Sequence, residues 1–354
     1  MADHQRAGGG ADGGRGRLWT RGEFLRAAAG AVGGLALARP AGAGETPVVR
    51  IAASRGIVSA PIWNVSNHAA RYGFGVQMSV LFTYADQQRA VQGRQTDVAT
   101  SGITNPATIA DQEIANLRVI AGQLSGGQNL VLRKGVQADT WRDLEGKTIG
   151  VVPGTYVRIL FLIAAQEGGA DLGKIKVVNV SVGATAMEAL RKGDLDGFVL
   201  FAPQTDQAVV EGIGSYPPKL DIGACSLGPA NGIVIANTEF LANKALATNF
   251  MKAYVASLHE MQNEAAYVKV ATQLAGIQPA VAQEAFRNLY FSETIDVKAI
   301  VEAAKLGPRF GFAKADTSAK VAGLIDFGPL MAATGKTQDQ LTGTPAAALK
   351  QVRR

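Results

Sequence analysis

A phrase that occurs twice, about a hundred residues apart, constrains the fold of this chain most strongly. Residues 90–102 and residues 189–203 each run from the end of a helix through a glycine and an aspartate into a short apolar strand and a loop. Gly93 and Gly193 suit the position that ends a helix, and the apolar run after each aspartate suits a buried strand. The two copies predict two similar α/β lobes. Each lobe offers a loop at the carboxyl end of a strand, where open α/β sheets bind ligands.

The length and charge of the chain restrict its class. A chain of 354 residues, 47% of them hydrophobic and 18% charged, can bury one large core or two medium ones. Residues 1–43 hold six basic and three acidic side chains, so residues 44–354 carry 29 basic and 26 acidic residues and a net charge of +3. This small excess, without a run of lysines and arginines, argues against a nucleic-acid partner.

Metal, disulfide and catalytic patterns are missing from the sequence. Cys225 is the only cysteine, so no internal disulfide or zinc-type cysteine cluster can form, and we expect this residue in the core. His4, His68 and His259 lack metal-ligand spacing. The sequence contains no G-x-S-x-G elbow, Walker loop, zinc-protease motif or complete dinucleotide fingerprint. We therefore predict no catalytic residue, no cofactor and no metal.

The first 43 residues have the pattern of an export signal. A basic region that includes residues 20–26 precedes a short Ala- and Gly-rich apolar stretch at 27–38, and the small residues at 41–43 suit a cleavage site. The segment resembles a twin-arginine signal in which Gly22 replaces the second arginine. We predict a signal peptide over residues 1–43 and a soluble, periplasmic mature chain. The alternative is an unprocessed amphipathic helix.

Strands and helices alternate along most of the remaining sequence. The predicted strands are 48–53, 76–82, 97–100, 117–121, 129–133, 148–152, 176–180, 197–201 and 231–236, with a glycine-containing loop at 122–127. Helices between these strands are typical of parallel α/β sheets. Residues 238–325 are predicted to be mostly helical, and the last twenty or so residues to form an extended tail.

Four of the predicted strands end in loops that open helices. The helix starts lie near Ser59 and Pro61, Thr104 and Pro106, Thr155 and Tyr156, and Ala202 and Pro203. Ser59, Thr155 and either Thr104 or Asn105 suit N-cap positions. The first turn of a helix presents unpaired N–H groups and a partial positive charge. Several such turns directed at one cleft would bind an anion or a polar acceptor.

Two arginines lie near these helix starts. Arg55 and Arg158 could each place a guanidinium on a carboxylate or sulfonate. The alternative for both is a solvated surface position. That alternative is favoured for Arg158, because this residue lies one turn into a helix.

Four aromatic residues could wall a ligand pocket near the same loops. Tyr84 and Tyr156 are the better candidates, because each falls in a strand-end loop where a phenol can both pack and hydrogen-bond. Trp63 and Phe201 suit core packing at least as well.

Several short segments together resemble one family of binding proteins. They are residues 49–52 with 61–63, residues 72–77, residues 93–99, residues 143–151 (Asp-Leu-Glu-Gly-Lys-Thr-Ile-Gly-Val) and residues 190–197. In this order and spacing the chain resembles, over residues 47–328, the sulfonate/nitrate/taurine and thiamine-precursor type of ABC-transporter solute-binding protein. The resemblance implies an α/β, type II periplasmic-binding-protein fold, with two α/β lobes, a hinge and a central ligand cleft.

The resemblance also implies lobe boundaries and ligand positions. Crossovers are expected near 126–130 and 224–233, which gives lobe 1 as 44–128 plus 226–330, lobe 2 as 129–225 and a C-terminal tail at 331–354. The implied ligand-binding residues, with the helix-start arginine added, are Ser54, Arg55, Ser59, Tyr84, Ser101, Gly102, Thr104, Thr155, Tyr156, Arg158 and Phe201. Where the family often has Gly-Ser, this chain has Gly154-Thr155-Tyr156, which favours a larger or aromatic ligand.

The implied function is binding rather than catalysis. The exported chain would capture a small organic anion, a sulfonate or carboxylate, and deliver it as a monomer to a membrane permease and, indirectly, to its ATPase. One alternative is an enzyme on the same fold, of the thiamine-pyrimidine or menaquinone-pathway type, and another is a ligand-sensing domain. The pyrimidine enzyme would need a cluster of His and Cys residues, and the sensor an attached output domain. The sequence shows neither.

Overall fold

Two β-sheets organise the part of the chain that the computed structural model describes, which is residues 45–81, 83–181 and 183–352. The predicted export signal lies outside these residues. In chain order the strands are β1 (Val48–Ala53), β2 (Gly75–Val80), β3 (Val98–Gly102), β4 (Leu117–Gly126), β5 (Gln128–Arg133), β6 (Thr148–Val151), β7 (Lys176–Asn179), β8 (Gly197–Phe201), β9 (Gly214–Ser215), β10 (Ala230–Asn237) and β11 (Leu289–Phe291). The first sheet has the order β11-β4-β10-β3-β1-β2, and the second has the order β7-β6-β8-β5-β9.

Helices connect and cover these strands. They are α1 (Ala60–His68), α2 (Tyr84–Gln92), α3 (Asn105–Asp111), α4 (Tyr156–Glu167), α5 (Ala184–Lys192), α6 (Gln204–Val210), α7 (Thr238–Ala242), α8 (Lys244–Met261), α9 (Glu264–Ala275), α10 (Pro279–Arg287), α11 (Val297–Phe310), α12 (Ser318–Val321), α13 (Gly328–Thr334) and α14 (Ala346–Val352). The predicted helical region at 238–325 holds α7 to α12, interrupted by β11. Within the described ranges, no helix combines the length and the apolar character needed to cross a membrane.

Both sheets are mixed, which corrects the prediction of parallel sheets. β1 is parallel to β2 and β3, and β6 is parallel to β7 and β8. β10 runs antiparallel to β3 and β4, and β5 runs antiparallel to β8. These two strands arrive from the opposite sheet. Each of them enters its new sheet at the carboxyl ends of the neighbouring strands, so it runs antiparallel to those strands.

β4 is one continuous strand of ten residues, so the predicted loop at 122–127 is wrong. Gly122 pairs with Ile233 of β10, and Ser125 pairs with Tyr290 of β11. The neighbouring strands β10 and β11 supply hydrogen-bond partners to this part of β4. Its Gly and Ser residues do not indicate a strand locally, because strand formation depends on such neighbours.

The predicted helix starts are present, but their capping differs. Ser59, Thr104 and Thr155 precede α1, α3 and α4, and none of these side chains caps its helix. The Ser59 Oγ lies 3.2 Å from the Ser54 Oγ, and the Thr155 hydroxyl donates to the Val152 carbonyl at 2.7 Å. The hydroxyls of Ser59 and Thr155 therefore bind within their loops and do not occupy the N–H groups of the first turns.

Tyr84 and Tyr156 are the first residues of α2 and α4, and not loop residues as predicted. α2 begins directly after Thr83, because the Thr83 side chain caps it by accepting a hydrogen bond from the Asp86 N–H at 3.1 Å. Both phenols therefore lie at helix N-termini that follow a sheet strand.

The C-terminal segment is folded, and the prediction of an extended tail is wrong. It contains α13, a short 3-10 helix at Asp339–Leu341, and α14, which packs against β11 and β4. Leu341 and Ala348 are fully buried. The segment binds the sheet through contacts distant in sequence, for which its Thr-, Ala- and Gln-rich composition gives no signal.

A buried aromatic group holds α8 on the first sheet. The rings of Phe250 and Tyr254 stack with their centroids 6.2 Å apart, and Phe74 contacts Phe250 at 6.3 Å. The Tyr254 hydroxyl donates to the Gly122 carbonyl at 2.8 Å. This bond fixes the middle of β4, the strand that leads to the second sheet.

Candidate functional site

The carboxyl edges of the two sheets meet at Gly127. β4 ends at Gly126 and β5 begins at Gln128, so one residue connects the sheets. The Gly127 N–H donates to the Asn288 carbonyl, and its carbonyl accepts the Ala202 N–H, both at 2.8 Å. Its φ of +74° lies in the region that favours glycine. The loops that follow the strands of both sheets therefore lie at one shared interface, the candidate ligand cleft.

The chain returns to the first sheet at the same edge. Ala230 begins β10 and pairs with Ser125 near the end of β4. Gln128 begins β5 and pairs with Phe201 at the end of β8. Both connections pass through the segments, 126–130 and 224–233, in which crossovers are expected.

The loop after β1 brings together two of the predicted site residues and one aromatic side chain. The hydroxyls of Ser54 and Ser59 lie 3.2 Å apart, and the Trp63 indole N–H donates to the Ser54 carbonyl at 2.7 Å. The Arg55 guanidinium lies 5.9 Å from the centroid of the Trp63 ring. This stacking holds an otherwise exposed arginine beside the loop.

Tyr84 packs on the end of β3. A Cβ on Gly102 would lie 3.1 Å from the Tyr84 ring, so the glycine makes room for the ring on the strand. Burial raises the pKa of Tyr84 to about 12, which keeps its phenol protonated. Ser101 is fully buried, and its hydroxyl has no partner among the described residues. Thr104, two residues after the end of β3, is half-buried.

Tyr156 is the corresponding aromatic residue of the second sheet. It is buried, and its hydroxyl has no hydrogen-bond partner within the described chain. Burial, followed by the Cys225 thiol and the Asp296 carboxylate, raises its pKa well above the usual value. Asp296 caps α11, which follows β11 of the first sheet. The carboxylate that acts on Tyr156 therefore comes from the other side of the interface. Thr155 is half-buried beside it.

The two predicted site arginines form no ion pair among the described residues. In the part of the chain that the structure describes, Arg158 makes no hydrogen bond or salt bridge, and Arg55 contacts only the Trp63 ring. Arg158 is half-buried in the first turn of α4. Phe201 is half-buried at the end of β8. The structure places the predicted site residues at strand ends, in the loops that follow them or in the first turns of the next helices, with direct contacts shown for Ser54 with Ser59 and for Tyr84 with Gly102.

Gln128 is a polar residue of this interface that the sequence analysis missed. Its side chain is 3% exposed, and both its Oε1 and Nε2 lack partners among the described residues. The neighbouring Asn129 also has an unpaired Nδ2. Leaving a buried polar group unpaired costs about 1–3 kcal/mol, so Gln128 is well placed to bind a ligand group that both donates and accepts. The available signal was a polar side chain inside the expected crossover.

The acidic, histidine and cysteine side chains determine which metal and thiol chemistry the described residues can support. The described residues contain no cluster of three His, Cys, Asp or Glu side chains that could hold a metal ion. Burial raises the pKa of the Cys225 thiol to about 11, so the thiol stays protonated and weakly nucleophilic near neutral pH.

The C-terminal segment borders this interface. Thr344 and Pro345 line a cavity of about 10 Å³ together with Ile103 after β3 and Ala230 at the start of β10. The Thr344 hydroxyl donates to the Asp296 carboxylate. A cavity of this size holds about one water molecule, so the segment closes the edge at this point.

A family model described as NMT1/THI5 like matches residues 73–266, which is more than half of the chain. Among curated proteins, none matches the chain at a significant level.

Solved structures of periplasmic binding proteins resemble the chain in fold. The aliphatic sulphonate binding protein SsuA from Escherichia coli is 14% identical, with a TM-score of 0.65 over 79% of this chain and 97% of that one. The alkanesulfonate-binding protein SsuA from Xanthomonas axonopodis pv. citri bound to MOPS is 16% identical, with a TM-score of 0.62 over 80% and 99%. The nitrate-binding protein NrtA from Synechocystis PCC 6803 is 13% identical, with a TM-score of 0.64 over 85% and 92%. These similarities confirm the predicted α/β, periplasmic-binding-protein fold.

Proposed function

The chain belongs to the NMT1/THI5-like family, and from this premise we propose that it is the solute-binding component of an ABC importer. It captures a small organic anion between two α/β lobes and delivers it to a membrane permease, and indirectly to the ATPase that drives the permease. The observation that carries this proposal is the meeting of the carboxyl edges of two sheets at Gly127. Residues 1–43 act as the export signal, and the mature chain works as a periplasmic monomer.

The two lobes correspond to the two sheets. Lobe 1 comprises residues 44–128 and 226–330 and contains β1 to β4, β10 and β11, while lobe 2 comprises residues 129–225 and contains β6 to β9 and nearly all of β5. The segment after residue 330 packs on the first sheet. A rotation about Gly127 and the return connection would close the lobes on a ligand, as in hinge-type binding proteins.

The ligand is a sulfonate or a carboxylate with a sizeable organic part. Arg55 follows β1 of the first sheet and Arg158 follows β6 of the second, and neither forms an ion pair among the described residues, which supports an anionic ligand. Tyr84 and Tyr156 at the helix starts support an aromatic or extended organic group. Sulfonate- and nitrate-binding proteins among the structures with this fold add support for an anion.

A thermal-shift screen of the mature chain tests this function. The probes are alkyl and aryl sulfonates, carboxylates and nitrate. A ligand at a hundred times its Kd stabilises the folded state by about 2.7 kcal/mol. At roughly 2–4 °C per kcal/mol, the expected rise in Tm is about 5–10 °C. Turnover of the stabilising probe by the isolated chain would contradict a role in binding alone.

Substitutions then test the anion site. Arg55→Ala and Tyr156→Ala should each abolish most of the shift caused by the best anionic probe, because they remove a cation and an aromatic wall. Arg71→Ala is the matched control, since Arg71 also stacks on an aromatic ring, that of Tyr72 at 5.8 Å, but lies outside the interface. Circular dichroism establishes that each variant is folded. Full affinity in both site variants would show that the anion binds elsewhere.

A further inference from the structure

A fully buried carboxylate lies near the connection between the two sheets. Asp206, in α6, has no exposed surface. Its Oδ1 accepts hydrogen bonds from the Tyr216 hydroxyl at 2.7 Å and from the Asn288 side-chain amide at 3.0 Å. The Thr205 hydroxyl lies 3.3 Å from its Oδ2. These three side-chain partners are neutral, so among the described residues none of them balances the charge of an ionised Asp206.

This cluster joins the two lobes. Asp206 and Tyr216 follow strands β8 and β9 of the second sheet, whereas Asn288 follows α10 and leads into β11 of the first sheet. The Asn288 carbonyl also accepts the Gly127 N–H at 2.8 Å. Asn288 therefore binds the connecting residue through its backbone and the second lobe through its side chain. A movement of the lobes about Gly127 would alter the Asp206–Asn288 bond.

The charged groups around Asp206 are engaged with one another. Several titratable residues of the described chain lie on or at the end of α6, on the elements packed against it, or beside Asp206. They are Glu211 at the C-terminal end of α6, Glu284 and Arg287 on α10, Arg133 on β5, Tyr216 after β9 and Tyr267 on α9. Arg287 pairs with Glu284 at 3.0 Å, Arg133 with Asp196 at 3.4 Å, and Glu211 with Arg191 at 2.8 Å. Glu284 adds further negative charge near Asp206, which also disfavours ionisation.

Protonation of Asp206 is therefore linked to the packing of α6 on α10. Burial without a counter-charge disfavours the ionised carboxylate and raises the pKa of Asp206 to about 6. If the helices separated and water reached the carboxyl group, its pKa would return towards the ordinary value of about 3.9. By linkage, ionisation favours the separated arrangement and protonation favours the packed one.

We propose that the packing of α6 on α10 around the Asp206–Asn288 bond is a pH-sensitive lock between the lobes, which is favoured when the buried Asp206 takes up a proton and weakened when it ionises. The proton adds to Oδ2, where the Thr205 hydroxyl can turn to accept it, and Oδ1 keeps both of its donors. The lock sets how readily the lobes move relative to each other. Its effect on ligand capture rests on the proposed function, while the contact itself can be tested without a ligand.

Hydrogen–deuterium exchange of the mature chain, without any ligand, measures the lock directly. The segments to follow are 126–128 and 286–291, which carry the Gly127–Asn288 bond and the end of α10. After correction for intrinsic exchange rates, their protection should fall as the pH rises from about 4 to about 7, with a midpoint near about 5, between the pKa values of the separated and packed states. Asp206→Asn should abolish this pH dependence. Glu211→Gln, an exposed acid at the end of the same helix, should leave it unchanged.

Tyr216→Phe separates a lock from a purely structural role. The substitution removes one hydrogen-bond donor to the ionised carboxylate, which raises the pKa of Asp206. The pH midpoint of the fall in protection should therefore lie above that of the wild type. A pH-independent wild type, or a pH dependence that survives Asp206→Asn, would overturn the proposal. An unchanged midpoint in Tyr216→Phe would also overturn it, and this variant keeps the test decisive should Asp206→Asn fail to fold. None of these results depends on which ligand the chain binds, so they leave the proposed function to its own test.

Discussion

At the scale of single residues, Asp206 makes the stability of the chain depend on pH in a defined direction. Its pKa of about 6 in the folded chain exceeds the value of about 3.9 expected after unfolding. The folded state therefore holds this proton more tightly. The resulting stabilisation is complete below about pH 4 and is lost as the pH rises through about 6.

Replacing Asp206 by Asn should remove that loss. Between about pH 4 and about pH 7, the free energy of unfolding of the wild type should fall relative to that of Asp206→Asn by about 2–3 kcal/mol. Urea unfolding at several pH values measures the difference. The comparison with Asp206→Asn is needed because other carboxyl groups titrate as well. Burial raises the pKa of Glu293, for example, but the hydrogen bond from Lys336 at 2.7 Å keeps that pKa below its usual value overall. Parallel curves for the two proteins would contradict the prediction.

Gln128 shows where residue-level reading of the sequence is limited. The predicted site residues come from loops after strands, and the structure does place Ser54, Tyr84 and Tyr156 at such ends. Gln128 instead begins a strand, and it reaches the interface only because β5 runs antiparallel to β8. Strand direction depends on pairing between distant segments, which no local pattern contains.

At the scale of elements, β4 depends on a close approach between two backbones, which explains why its sequence predicts a loop. A Cβ on Gly122 would lie 1.9 Å from the Thr294 carbonyl oxygen and 3.0 Å from that of Ser292. The glycine therefore admits a neighbouring backbone, whereas its local sequence favours a turn. The Gly122 carbonyl also accepts a hydrogen bond from the Tyr254 hydroxyl. A glycine that serves distant packing looks, in sequence alone, like one that serves a turn.

Gly122→Ala should therefore destabilise the chain by about 3 kcal/mol or more, because the added methyl group meets backbone atoms that cannot rotate away. Gly323→Ala is the control: a Cβ there meets no atom within 4 Å, and its effect should stay within about 1 kcal/mol. Denaturant unfolding of both variants measures the contrast. Equal stability of the two variants would show that β4 can shift away from the segment that carries Thr294.

At the scale of the whole molecule, the two lobes could be predicted but the packing of the chain end could not. The repeated phrase and the alternation of strands and helices are local patterns, and they predicted the strands that deliver both edges to Gly127. The C-terminal segment is held by distant contacts: the Ile295 N–H donates to the Leu341 carbonyl, and the Gly343 N–H donates to the Ile295 carbonyl, both at 2.9 Å. Such contacts leave no periodic signal in a Thr- and Ala-rich sequence.

A core substitution in this segment tests whether it belongs to the cooperative fold. Leu341 is fully buried, so Leu341→Ala should lower the free energy of unfolding by about 2–5 kcal/mol, through lost burial and the cavity left behind. Met331→Ala, at a residue of the same region that is 38% exposed, should cost less than about 1 kcal/mol. Both variants should unfold in a single transition with the rest of the chain. If Leu341→Ala is as stable as the wild type, the segment does not belong to the cooperative core.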